Sequence, residues 1–298
     1  MPKILTLISM LLITGCASTK PYRPPQTVEE LRSLYAQFNR VEAITHNIFV
    51  ANSSMCSKRK TNYGFISMFV NKEQDEGQRK LWSEAFNLQT QPTVTYVVPK
   101  SAADKAGLLA GDIIISVNNS LWSDVNSQSN FIKQLSEAQK SSNLSLGVLR
   151  NNETIILTLI ANMACDYRLI LNDRVKHQAW SINDQIYIDS GSAKLLKRDD
   201  ELAFFISHEL AHLLLGHTLP ERKSELGDYK MRSIIEKDAD ALGIRLMTHA
   251  GYSAKGAETA IKITDLIDSG PITRFFNYHG PYMPADERIK YLRNVLGE

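Results

Sequence analysis

Helical and strand periodicities alternate along this chain, and their order predicts its architecture. Residues 4–13 are an almost continuous apolar run. From 28 to 50, Leu31, Leu34, Tyr35, Phe38, Val41, Ile44 and Ile48 recur three and four apart, the spacing of a helix with one buried face. The pattern then shortens. Residues 93–99, a helical turn over 101–108, and 113–117 opened by Gly111 and Asp112 read as strand, turn and strand. Residues 144–149 and 154–160 read as a hairpin joined at 150–153, with 128–139 as a neighbouring helix. Strands are also expected over 167–171, and over 179–182 with 186–188, joined at Asn183, Asp184 and Gln185. Helical spacing returns in Leu202, Phe205, Ile206 and Leu213, with Asp199 or Asp200 as N-cap and Gly216 as the stop, and again in Ile234, Ile235, Leu242, Leu246 and Met247. The fold expected is α+β: a mainly helical domain with a small sheet, interrupted by a β-rich domain.

The first of the two late helices carries His208-Glu209-Leu210-Ala211-His212. Positions four apart share a helix face, so both imidazoles present to one metal ion while Glu209 points at its open side. A catalytic zinc usually takes three protein ligands and keeps a fourth position for water. Glu236 is the candidate third ligand. It shares a face with Ala239, Asp240 and Gly243, whose small members allow close helix approach, and Asp240 is placed to accept the second ring N–H of a ligand histidine. Asp238 falls on another face and is expected in solvent.

His208 to His212, the following Gly216-His217, Glu236-x-x-Ala239-Asp240-x-x-Gly243 and Ala250-Gly251-Tyr252 resemble the M48 (Ste24/HtpX-like) zinc metallopeptidases, in their soluble periplasmic branch, over roughly 163–298. The resemblance implies a zincin-type domain that hydrolyses polypeptides, with one Zn2+ held by His208, His212 and Glu236, Glu209 as general base, and Asp240 behind a ligand. It also implies a histidine near the C-terminus beside the metal; the nearest match is His279, although Gly280 follows it where the family has proline, and Arg288 is further away than usual. In peptidases of this kind an edge strand holds extended substrate by main-chain bonds, a role expected of 179–188.

The N-terminus carries an address. Lys3, the apolar run and Ile13-Thr14-Gly15-Cys16 resemble a bacterial lipoprotein signal, with Cys16 lipidated and 1–15 removed. Residues 16–27, with Pro21, Pro24 and Pro25, read as a tether. The expected place is therefore the bacterial envelope, with the protein held by its lipid to a membrane facing the periplasm; Ala17 after the cysteine resembles lipoproteins sorted to the outer membrane. Composition excludes one partner class: 34 Lys and Arg against 32 Asp and Glu give a near-neutral chain, with no nucleic-acid footprint. Lys58-Arg59-Lys60 reads as a solvated loop.

Residues 60–162 resemble a PDZ domain set between the first helix (28–59) and the metal-binding remainder (163–298). The loop that would cap a peptide carboxylate with backbone N–H groups is Tyr63-Gly64-Phe65-Ile66, separated from Thr93 by a helical, charged insertion. Cys56 and Cys165 bracket this domain. An insertion leaves and re-enters its host at neighbouring points, so the two are expected to form a disulfide. The function expected is a zinc endopeptidase that captures and cleaves misassembled or unfolded envelope proteins. The alternative is a non-catalytic or latched peptide-binding, chaperone-like lipoprotein.

Overall fold

The computed structural model describes residues 24–70, 75–122, 127–138, 140–174, 176–268 and 282–298. Helix α1 (Val28–Ala51) starts where the Thr27 hydroxyl accepts the Glu30 N–H, and buries Val41, Ile44, Ile48 and Phe49. The β-rich lobe follows, in the order β1 (Arg59–Asn62), β2 (Phe65–Met68), α2 (Glu76–Phe86), β3 (Thr93–Val97), α3 (Ala102–Lys105), β4 (Ile113–Val117), β5 (Ser120–Leu121), α4 (Ser127–Ala138), β6 (Asn143–Arg150), β7 (Glu153–Ile160) and β8 (Asn162–Cys165). Its antiparallel sheet runs β2-β3-β4-β6-β7, with β5 paired to β4, so β2 and β7 are edges. Alternating residues Leu144, Leu146 and Val148 of β6 face inward and meet Val94, Ile114 and Leu159 in one core. Asp112 anchors the start of β4 by accepting two bonds from Arg150, each 2.6 Å.

The chain leaves and re-enters the helical lobe on a two-stranded ribbon. Strand β1 pairs antiparallel with β8, Arg59 opposite Cys165 and Asn62 opposite Asn162. Cys56 and Cys165 are joined in a disulfide beside it, across 109 positions of sequence, with Cα atoms 5.4 Å apart. The basic run expected as a loop is thus corrected: Arg59 and Lys60 lie in a strand because their backbone pairs with Cys165 and Ala164 of β8, while Lys60 forms an ion pair with Asp166 and Lys58 with Asp184 at the surface. Helix α2 fastens the lobes a second time. Its Trp82 and Phe86 rings lie 5.2 and 5.1 Å from that of Tyr35 on α1, and Arg32 donates to the Ala85 carbonyl.

The helical lobe contains β9 (Arg168–Asn172), β10 (Ala179–Ile182), β11 (Gln185–Asp189), α5 (Ser190–Leu195), α6 (Asp199–Leu214), α7 (Tyr229–His249), α8 (Ala254–Asp268) and α9 (Ala285–Leu296). Its sheet runs β10-β11-β9, with β11 antiparallel to β10 and parallel to β9. Asn183 and Asp184 both have positive φ, 49° and 62°, so the hairpin turns in two residues and Gln185 belongs to β11. Helix α6 is buried almost throughout, its Leu202, Ile206 and Leu210 packing with Ile44 and Ile48 of α1 and with Ile244 and Met247 of α7. No helix of the described residues is long and apolar enough to cross a membrane.

Candidate metal centre

The start of α6 differs from expectation in its cap. Asp199 binds Arg40 and Asp200 binds Arg198, each through an ion pair, so neither caps the helix; Arg198 is the N-cap, and its N–H is taken by the Glu201 carboxylate at 3.0 Å. Three acidic residues in the first turn suit the positive end of the helix dipole. At the other end Gly216, with φ +68°, makes the His217 N–H bond back to the His212 carbonyl at 2.9 Å and its own N–H to that of Leu213. These are the two bonds of a Schellman motif, and they fold His217 over the last turn.

Helix α7 approaches α6 closely because Gly243 has no side chain: a Cβ there would stand 3.0 Å from the Cα of His208 and 3.1 Å from its nitrogen. Glu236, two turns earlier on α7, reaches the histidines in consequence. His208 Nε2 and His212 Nε2 are 3.1 Å apart, and Glu236 Oε2 lies 3.2 Å from the first and 3.6 Å from the second. Among the described residues, these are three ligand groups whose donor atoms all fall within 4.8 Å of one another. Donor atoms at the corners of a zinc tetrahedron, with bonds of about 2.0–2.1 Å, stand roughly 3.3 Å apart. The three separations bracket that value.

The outer nitrogens decide what lies between them. His208 Nδ1 is 3.0 Å from Asp240 Oδ1, and His212 Nδ1 is 3.0 Å from His217 Nδ1. With His208 donating to Asp240 and His212 to His217, both Nε2 atoms turn lone pairs toward the Glu236 carboxylate. Three acceptors then face one point, which a cation or a proton must hold together. Burial, and then the neighbouring His212 and Arg222, push His217 down to about 4, so it is neutral and able to accept at neutral pH. Burial would also push His208 down, but its bonds to Asp240 and Glu236 prevail and hold it up, at about 10. Without a metal, a proton on His208 therefore does what a cation would do. Glu236 and Asp240 show the reverse: burial raises both carboxyls, and their cationic partners bring them below the usual range.

Asp240, 1% exposed, is fixed from behind by Arg288 of α9, which donates to both its oxygens at 2.5 Å and stacks 4.7 Å from the Tyr282 ring. Arg288 was noted in the sequence only as a departure from the family pattern, and nothing local links it to a residue 48 positions away. His217 had a signal, since a glycine at a helix end brings the following residue back over the last turn. Glu209 is buried, 7% exposed, next to His208; Asp238 is exposed on another face, as expected.

The capping loop of the β-rich lobe is placed differently. Tyr63 is buried, and its hydroxyl donates to the carbonyls at the end of α4, those of Ala138 and Ser141, so it is a structural residue and not part of a groove surface. Gly64 donates its N–H to Asn62 Oδ1 at 2.9 Å. Phe65 and Ile66 lie half-buried on the edge strand β2. Cys16 and His279 lie outside the described residues.

Residues 67–160 match the PDZ domain family, and the chain contains a PDZ domain. Similar solved structures include the HtrA3 PDZ domain bound to a phage-derived ligand, at 23% identity over 36% of this chain and 88% of that one, TM-score 0.27. The HtrA-type protease AlgW with a decapeptide is 20% identical over 35% of this chain and 30% of that one, TM-score 0.27. A PDZ domain protein from Parabacteroides distasonis is 15% identical over 37% of this chain and 22% of that one, TM-score 0.28. The similarity thus spans under a third of the last two proteins. No curated protein matches the chain.

Proposed function

We propose that this protein is a zinc-dependent endopeptidase of the bacterial cell envelope, of the M48 (Ste24/HtpX-like) kind, which takes polypeptide through its PDZ domain and cleaves it beside α6. The observation that carries the reading is the convergence of His208 Nε2, His212 Nε2 and Glu236 Oε2 within 3.1 to 3.6 Å, with both outer imidazole nitrogens already paired. Two imidazoles and a carboxylate suit zinc and leave a fourth position open. A bound zinc ion supplies Lewis acidity, lowering the pKa of water from ~16 towards ~7.

The remaining work belongs to the chain. Glu209 accepts the proton of the attacking water and returns it to the leaving amine. Asp240 and His217 keep His208 and His212 in the tautomers that present Nε2, and Arg288 holds Asp240 in place. Strand β10 is an edge of the sheet packed on α6, and an extended substrate adds to it through main-chain bonds, which makes recognition tolerant of side-chain sequence. The lipoprotein-like start at Cys16 and the Cys56–Cys165 disulfide support an oxidising envelope compartment.

The test is casein hydrolysis by the detergent-solubilised full chain. Cleavage is expected, with loss on chelation, recovery on adding zinc, and no cleavage by Glu209→Gln. Folded, zinc-loaded protein that leaves casein intact would favour the non-catalytic peptide-binding reading.

A further inference from the structure

The capping loop of the PDZ domain sits against the other lobe. Gly64, with φ +77°, is wedged so that a Cβ would fall 2.2 Å from Ser101 Cβ and 3.0 Å from Cε1 of His46. His46 belongs to α1 and is 4% exposed; its side chain hydrogen-bonds that of Asn62, and its Nδ1 is buried without a partner among the described residues. The Asn62 carboxamide that meets this ring also accepts the Gly64 N–H at 2.9 Å. The loop carbonyls are engaged too, that of Tyr63 by the Ala103 N–H and that of Gly64 by the Val98 N–H, each at 2.8 Å.

A terminal carboxylate is captured by just such free N–H groups of a backbone turn. Here one of them already has an acceptor, supplied two residues upstream and backed by a helix of the neighbouring lobe. Burial pushes His46 below its ordinary pKa, so the ring is neutral at physiological pH and adds no charge to draw a carboxylate in. Strand β2, four residues long, ends the sheet, so an extended segment can pair along its main chain.

We propose that Asn62 is a built-in stand-in for a ligand carboxylate, pinned in the cradle by His46 of α1, so that the resting PDZ domain takes internal extended segments as readily as C-termini and becomes selective for a C-terminus only when Asn62 is removed. This rests on the reading that the PDZ domain captures polypeptide. It fits a chain that must seize unfolded proteins anywhere along their length.

The probe is a fluorescein-labelled decapeptide pool of randomised sequence ending in valine, made as free acid and as amide, with binding to the full chain followed by anisotropy. The parent is expected to bind both within about twofold, and Asn62→Ala to prefer the acid by about tenfold or more. Asn62→Asp retains an acceptor and adds a negative charge, so it should show no preference for the acid. Hydrogen exchange at the Gly64 amide gives a readout free of peptide: slow in the parent and in Asn62→Asp, about tenfold faster or more in Asn62→Ala. A parent that already prefers the acid tenfold, an Asn62→Ala protein that binds both probes equally, or a Gly64 amide that exchanges alike in parent and Asn62→Ala overturns the inference while peptide capture stands. Binding of neither probe by any variant removes peptide capture itself, and the inference with it.

Discussion

The candidate metal centre and the Gly64 cradle are each made where a side chain on one element meets another across a close approach, yet they end in opposite states. At the metal centre the partners lie on the outside. Asp240 and His217 occupy the far nitrogens, and the inner atoms of His208, His212 and Glu236 are left as three acceptors facing one point. At the cradle the partner lies inside: Asn62 supplies the acceptor that the Gly64 N–H requires, and the turn is complete without a ligand. Converging like-polarity groups mean that something must be bound, while a matched donor and acceptor mean that a ligand has to compete. Glycine permits both arrangements, by admitting the His208 backbone against Gly243 and the His46 ring against Gly64.

The largest expected effect tests whether the convergent site does chemistry. Glu209→Gln keeps shape and ligands but cannot take a proton, so casein hydrolysis should fall by about 10²–10⁴-fold with zinc content and thermal unfolding unchanged. Unchanged turnover would remove the assigned base.

Next in size is the outer support. Asp240→Asn leaves the Arg288 guanidinium, 13% exposed, without its carboxylate, and breaking a buried pair from one side costs about 3–5 kcal/mol. Denaturant unfolding of the metal-free protein should show that loss, and zinc affinity should drop about 10–100-fold. A neutral result in both would mean that the site's polarity does not depend on its outer partners, and the contrast with the cradle would collapse. The disulfide closes the base of the β-rich insertion, with both cysteines in the core of the helical lobe. Replacing Cys56 and Cys165 together by serine frees a loop of 109 positions and should cost roughly 2–5 kcal/mol, read by denaturant midpoint with and without reductant on the parent.

Gly243→Ala is smaller. An added methyl must push α7 from the His208 backbone, with a loss of about 1–3 kcal/mol and weaker zinc binding, since Glu236 moves with the helix. The mildest effect is on pH. His208, held up at about 10 in the metal-free protein, is protonated at neutral pH, and zinc must displace that proton. Zinc affinity should therefore rise with pH from 6 to 9, with about one proton released per zinc, measurable by calorimetry in buffers of different ionisation enthalpy. The raised pKa also means that this proton stabilises the metal-free fold below the ordinary histidine range of about 6.5, a contribution lost as pH rises through about 10.

What could be read in advance followed from periodicity. Helices α1 and α4 and the hairpin β6–β7 lie within a residue or so of their expected limits, because a buried face repeats every 3.6 or 2 residues. His208, His212 and Glu236 come together because each is fixed by helix phase and by small residues on the same face. Polar pairings across the fold carry no such phase. Lys58, Arg59 and Lys60 are solvated as expected, but the pairing of β1 with β8, far along the chain, makes a strand of Arg59 and Lys60, and the acids opening α6 are engaged by Arg40 and Arg198 instead of capping it. Arg288 and Asn62 leave no periodic trace, and their roles depend on residues brought near by tertiary structure alone.

The central claim is that three acceptors face a cation, and zinc content per chain tests it most directly. Elemental analysis of the protein purified without added metal or chelator should give about one zinc per chain for the parent and for Glu209→Gln, and almost none for Glu236→Ala. A metal-free parent that takes up no zinc on addition, or a Glu236→Ala protein that retains a full equivalent, would contradict it.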